Sequence, residues 1–261
     1  PAADTPAADT PAADTPAGDT PAADTPDGER PWEVDRTGFP DPVHDGQWFS
    51  FLRAEQLEFR YRDGHEDTLR WDIQGWAGAD YQRLWIKTEG EQTVEGKSEG
   101  EFEFQVLFSQ VISTFWNLQA GIRYDRFWGP GPDGGRGFGV LGIQGFSPYE
   151  FEVDLSAYLS EEADVSIRLV ATTDFLITQR LIFQPRFEVE GSLSKVRNLP
   201  IDRGFNYIEL GARLRYEFMR EIAPYVGVNW RRSLGATSGL VRRDGGVVSD
   251  FSFVAGITLW F

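Results

Sequence analysis

YEFEVDLSAYL (Tyr149–Leu159) places Tyr149, Phe151, Val153, Leu155, Ala157 and Leu159 on one parity and Glu150, Glu152, Asp154, Ser156 and Tyr158 on the other. A period of two is the signature of a β-strand with two unlike faces. The same pattern recurs in both directions along the chain. Phe102, Phe104, Val106 and Phe108 alternate with Glu101, Glu103, Gln105 and Leu107, and Ile208, Leu210, Ala212, Leu214 and Tyr216 alternate with Glu209, Gly211, Arg213, Arg215 and Glu217. Twelve such segments can be counted, at about 47–61, 67–77, 81–90, 100–110, 114–126, 136–146, 149–160, 164–176, 180–191, 205–217, 221–231 and 249–261. Most are longer than the about 5–6 residues usual in soluble domains, and match the about 9–11 residues of a tilted strand through a bilayer.

The connections alternate too. Gaps after every second segment are short (Gly78–Asp80, Val111–Ser113, Ser147–Pro148, Ile177–Gln179, Phe218–Arg220). Those between are mostly longer and rich in Gly, Pro or charge (Arg62–Glu66, Glu91–Glu99, Phe127–Gly135, Ser192–Gly204, Arg232–Val248), with Glu161–Ala163 the short exception. Short turns on one rim and long loops on the other describe an outer-membrane barrel, with both chain ends on the short-turn, periplasmic side. The closing Leu259-Trp260-Phe261 resembles the C-terminal strand of such barrels. The expected fold is all-β: a transmembrane antiparallel β-barrel of twelve strands, residues 46–261, in the outer membrane of a Gram-negative bacterium. A soluble sandwich would alternate as well, but with its apolar face turned inward. Trp48, Trp71, Trp76, Trp85, Trp116, Trp128, Trp230 and Trp260 lie in or beside the strands and suit interfacial girdles.

The first 45 residues read differently. PAADT is repeated five times over residues 1–25, with Gly18 in the fourth copy. Proline every five residues blocks helix and sheet, and Ala, Asp and Thr offer little to bury, so a disordered, acidic periplasmic spacer is expected. It has no basic leader, and the only Met is Met219, which reads as a processed or trimmed start. Up to Asp45 there are eleven acidic residues and two arginines, which leaves −7 of the formal −16 on the rest. The acidic balance argues against nucleic acid as a partner. The absence of Cys excludes disulfides, thiolate metal sites and thiol catalysis. Mean hydropathy is −0.37, a value that alternation produces even in a membrane protein.

If the apolar parity meets lipid, the other parity lines the lumen. That face carries Glu58, Asp72, Glu89, Glu101, Glu103, Asp125, Glu152, Asp154, Asp174, Glu188, Glu190 and Glu209, with Glu150 at the start of its segment. Arg83, Lys87, Arg123, Arg168, Arg186, Arg213 and Arg215 share it. Carboxylates in a confined pore attract cations, whereas Arg–Glu pairs across the lumen would plug it. Both readings stand at this level. Oxygen ligands alone do not select a transition metal. His65, beside Asp63, Glu66 and Asp67 in the first outer loop, is the candidate for a weak mixed site or, alternatively, for a hydrolase. His44 lies in the polar N-terminal region, and Met219 in a predicted periplasmic turn without a second thioether. Otherwise no catalytic constellation is visible, and an enzyme is not expected. GPGPDGGRGFG (Gly129–Gly139) lacks the strand-then-helix setting of a phosphate loop and reads as an outer loop.

Long ordered blocks then carry a family likeness. DIQGWAGADYQRLWIKTEGE (Asp72–Glu91), Ser147–Glu190, ELGARLRYEFMREIAPYVGVNWRR (Glu209–Arg232) and FVAGITLWF (Phe253–Phe261) resemble the outer-membrane copper-resistance protein B family. The resemblance implies an outer-membrane barrel, encoded with a periplasmic multicopper oxidase, that acts in copper resistance. Members commonly carry a Met- and His-rich N-terminal region. Here PAADT repeats stand in its place. The resulting expectation is a barrel that passes copper ions through an acidic lumen, with Glu101, Glu103, Glu150, Glu152, Asp154, Glu188, Glu190, Glu209 and His65 as metal-contacting candidates. The alternative is a closed barrel that anchors or docks periplasmic copper proteins. Expected partners are membrane lipid, copper ions and a multicopper oxidase.

Overall fold

The structure is a computed structural model that describes residues 47–94, 96, 99–129, 134–196 and 201–261. The PAADT repeats and His44 lie outside the described residues. The strands are β1 (Phe49–Arg62), β2 (Thr68–Gly78), β3 (Gln82–Thr93), β4 (Gly100–Ser113), β5 (Trp116–Trp128), β6 (Gly134–Ser147), β7 (Phe151–Ser160), β8 (Val165–Thr172), β9 (Phe175–Leu176), β10 (Leu181–Ser192), β11 (Gly204–Tyr216), β12 (Ile222–Ser233) and β13 (Ser249–Trp260). β8 and the two-residue β9 form one crossing, interrupted at Thr173–Asp174. Each crossing pairs antiparallel with its neighbour in sequence, and β1 pairs with β13, so twelve crossings close a ring. Closure gives each of the twelve crossings a partner on both sides, as a lipid-embedded sheet requires, although the short β9 pairs with β10 alone. At the seam the Leu52 and Phe261 amides and carbonyls exchange hydrogen bonds of 2.9 and 2.8 Å.

The apolar parity faces outward. Phe104, Phe108, Leu155, Leu159 and Leu210 are exposed, and Phe102 and Val153 share their face. The opposite parity is buried: Glu103, Gln105, Ser156, Arg168, Glu188, Glu209 and Arg213 all lie inside. This is a membrane barrel inverted with respect to a soluble one. On the outer face Trp71 lies over Gly90 and Trp128 over Gly100; a Cβ at either glycine would meet the indole at 2.2 and 2.7 Å respectively. Aromatic cover of a cross-strand glycine fills the gap its missing side chain leaves.

The structure departs from the sequence reading in four places. The seventh strand starts at Phe151, because Pro148–Glu150 is a 3-10 turn in which Tyr149 and Glu150 take positive φ (67° and 61°). Pro148 brings no N–H to a ladder, so the chain leaves the wall there. The last long loop contains α1 (Gly235–Arg243), with Arg242 and Arg243 in its last turn, where cations suit the helix dipole. The Gly-rich outer stretch is already strand from Gly134. Finally, Trp76, Trp85 and Trp260 belong to the lumen: Trp85 is 8% exposed and packs with Leu107, Val140 and Tyr158, and Trp260 lies under Arg215. For these three the lumen's packing, not the membrane interface, sets the position.

Candidate functional site

The lumen is where the charged residues meet. A β-bulge in β1 between Ala54 and Leu57 decides part of its content. An extra residue switches the strand's parity. Arg53 and Glu55 face inward before it; Gln56, Glu58 and Arg60 face inward after it.

Across the lumen these side chains pair. Arg168 on β8 reaches Glu89 on β3 (2.8 Å), Glu103 on β4 (2.9 Å) and Glu190 on β10 (3.2 Å). Lys87 on β3 donates to Asp154 on β7 at 2.6 Å. Arg53 on β1 reaches Glu152 on β7 at 3.2 Å, and these strands stand on opposite sides of the ring. Arg60 links Glu58 (2.7 Å) and Glu209 (3.2 Å), Arg213 holds Glu58 at 3.0 Å, and Arg186 holds Glu188 at 2.6 Å. Tyr207 donates its hydroxyl to Glu188 at 2.6 Å, and Tyr225 donates to Glu58 at 3.0 Å. Gln105 adds a donor to Glu103. Charge-assisted bonds of this kind are stronger than neutral ones, and a buried carboxylate needs such partners to stay ionised.

This layer separates two cavities. One, of about 890 Å³, lies at the short-turn rim and is lined by Arg53, Glu55, Glu150, Glu152, Asp174 and Trp260 among others. The second, of about 530 Å³, lies toward the long loops and is lined by Glu101, Glu103, Arg123, Arg168, Glu190 and Arg231 among others. Thr237 and Val241 of α1 roof this outer cavity, with Thr237 buried and its hydroxyl accepting from the Asp202 amide at 3.0 Å.

The candidate residues fall into three groups. Glu103, Asp154, Glu188, Glu190 and Glu209 lie inside and are each held by a cation or, for Glu188, by a cation and a phenol. Glu101 is exposed at the outer cavity, and Glu152 lines the inner one on Arg53. Glu150, expected on the inner wall, sits instead in the 3-10 turn, exposed, because Pro148 ends the ladder before it. His65 occupies the exposed turn between β1 and β2 beside Gly64. Among the described residues no three His, Asp or Glu side chains converge as a metal-ligand group. Neither His nor Met lies in any of the twelve crossings, since the chain's two His precede β1 or follow it in a turn and Met219 is in another turn. Sequence reading missed Arg53, Glu55, Arg60, Glu91, Arg70 and Arg231. Arg70 shares parity with Asp72 and Arg60 with Glu58, which marked them; Arg53 and Glu55 were hidden by the bulge.

The profile of the family described as "Copper resistance protein B precursor (CopB)" matches residues 48–261. The chain belongs to the copper resistance protein B family. Copper resistance protein B of Escherichia coli is 35% identical over 219 residues, 84% of this chain and 72% of that protein. The Copper resistance protein B homolog of Pseudomonas syringae pv. tomato is 36% identical over 220 residues, again 84% and 72%. Among solved structures, the NanC porin superposes with a TM-score of 0.50 at 13% identity, covering 81% of this chain and 99% of that one. That likeness is one of fold. A member of the copper resistance protein B family with a closed, lipid-facing barrel is an outer-membrane protein.

Proposed function

We propose that this copper resistance protein B relative passes copper ions through its lumen by way of a side-chain diaphragm that is shut at rest. The observation that carries the reading is the pair of cavities, one toward each rim, divided by side chains: the ion-pair layer together with buried Gln119, Leu107 and Tyr158. No strand or helix crosses between them among the described residues. A divalent cation entering either cavity meets carboxylates whose present partners are guanidiniums and Lys87, and exchange of one cation for another is the step that opens a path. Among the described residues the anionic groups of this layer are all carboxylates, and no imidazole or thioether joins them, so the lumen would favour a hard ion and would not itself select copper. Selectivity then rests on partners outside the wall, such as the periplasmic multicopper oxidase that the family resemblance implies.

The pairing also favours a second reading, a closed barrel that anchors or docks periplasmic copper proteins. Both readings are non-enzymatic. A hydrolase would need His65, whose imidazole has no hydrogen-bond partner among the described residues. Copper flux into sealed liposomes separates the two. Passage requires copper entry by the reconstituted parent above protein-free vesicles, and its loss when Glu103, Glu188 and Glu209 are replaced by Gln. Equal leak with and without protein would leave the closed barrel standing.

A further inference from the structure

The lipid-facing parity carries almost no charge. Among the described residues the lysines and arginines of the wall strands point into the lumen, with two exceptions, Arg126 on β5 and Arg232 on β12. Arg232 pairs with Ile208 and Ser249, and Trp230, the next residue of its face, pairs with Leu210 and Phe251, so these side chains share the outward face. Arg232 stands ten residues beyond Ile222, where β12 leaves the inner rim. At about 3.4 Å per residue and a tilt of about 40°, ten residues climb about 26 Å, against an apolar band about 25 Å tall. Arg232 therefore meets the membrane at the headgroups of the outer leaflet, with Trp230 and Phe251 in the apolar layer just below it.

The charge around Arg232 is positive and has no counter-ion. Arg203 comes just before β11, beyond the point where the Leu234 amide bonds to the Asn206 carbonyl at 2.8 Å. Arg242 and Arg243 close α1, which packs on β11 and β12. All four arginines are exposed, and none makes an ion pair among the described residues. The acids of these segments are Asp202, which accepts from the Arg203 amide at 2.8 Å, and Asp244, so four cations stand against two carboxylates. Other outer connections are acidic: Asp63, Glu66 and Asp67 follow β1, and Glu161 and Glu162 follow β7. A guanidinium on a lipid-facing wall is tolerated only near the interface, and phosphate is the anion whose geometry it matches with paired bonds.

We propose that this corner of the outer rim docks one molecule of the outer leaflet's phosphorylated, multiply acylated disaccharide, lipid A. Arg232 takes one phosphate at the membrane surface, Arg203 and the end of α1 face the other, and the acyl chains lie along Trp230, Leu210 and Phe251. A glycerophospholipid shares the phosphate chemistry but brings a single phosphate to two cationic positions. The site is independent of whether copper crosses the lumen.

The test is native mass spectrometry of the full-length, delipidated protein in detergent, incubated separately with diphosphoryl lipid A, monophosphoryl lipid A and phosphatidylglycerol. The expected result is one retained diphosphoryl lipid A per barrel, at least fivefold preferred over either of the other two. The double variant Arg203→Gln with Arg232→Gln should cut that retention at least fivefold, whereas Arg232→Lys, which keeps the charge, should hold at least half of it. Arg126→Gln, at the same height on the opposite wall, should leave retention unchanged. Heat-modifiable gel mobility confirms that each variant is folded. Retention by the double variant within twofold of the parent, or an equal loss in Arg126→Gln, would mean annular lipid only and overturn the proposal. Phosphatidylglycerol retained as well as diphosphoryl lipid A would overturn the assignment to the outer-leaflet saccharolipid.

Discussion

Replacing Arg168 by Gln removes the cation on which Glu89, Glu103 and Glu190 converge at 2.8, 2.9 and 3.2 Å. Glu103 keeps Arg123 at 2.7 Å and Glu89 keeps Arg70 at 3.2 Å, so neither is stranded. Among the described residues, Glu190 is then left with the Tyr207 hydroxyl at 3.4 Å. Breaking a buried pair by removing one partner costs about 3–5 kcal/mol. Two of the three carboxylates keep another cation and the outer cavity can hydrate the third, so the lower end, about 3 kcal/mol, is the expected loss. In urea with a slope of about 2 kcal/mol/M, that moves the unfolding midpoint down by about 1.5 M. Tryptophan fluorescence in detergent micelles reads it. The double variant with Glu190→Gln should recover part of the loss, since the stranded charge goes with its partner. The same single variant should raise cation conductance in planar bilayers, because three carboxylates lose their shared counter-ion. A midpoint shift below about 0.3 M, or a double variant that loses the sum of the singles, would refute the idea that Arg168 holds the layer together.

Exchanging the opposed pair, Arg53→Glu with Glu152→Arg, should restore most of the stability that either single change removes, about 2 kcal/mol each for these half-buried groups; two equal, additive losses would show that the contact does not matter. Tyr225→Phe deletes the hydroxyl bond to Glu58 and should cost about 1 kcal/mol in the same urea experiment, with no change in the barrel's circular dichroism. Thr237→Val removes the acceptor for the Asp202 amide and should loosen α1, raising amide hydrogen exchange in 235–243 while the strands stay protected. Deleting Phe261 removes both hydrogen bonds to Leu52, and the closed, heat-modifiable form should fall at least severalfold in refolding yield.

Period-two alternation made the wall legible because it reports the physical environment of each face directly. All twelve crossings, their outward residues and the alternation of short and long connections follow from it, with strand ends moved by only a few residues. The lumen's state was not legible, since alternation gives the face of Arg168 or Lys87 but not the partner across the ring. Pairing of Arg53 with Glu152 depends on strand count and tilt, which bring β1 opposite β7. The β1 bulge has no strong marker in FLRAEQLEF, and it hid Arg53 and Glu55 by changing parity mid-strand. Pro148 could have warned that Glu150 leaves the wall. α1 escaped because a nine-residue helix in a loop draws its stability from Thr237's contacts and not from its own sequence.

The closing seam sets an order of events in biogenesis. Thr258 bonds to the Glu55 carbonyl, 203 residues earlier in the chain, in the same ladder that joins β1 to β13. Until β13 is in place, β1 is paired with β2 on one edge only, and every partial sheet keeps two sticky margins. The ring therefore shuts in one step, when β1 meets β13, and a sheet one strand short exposes two edges at once.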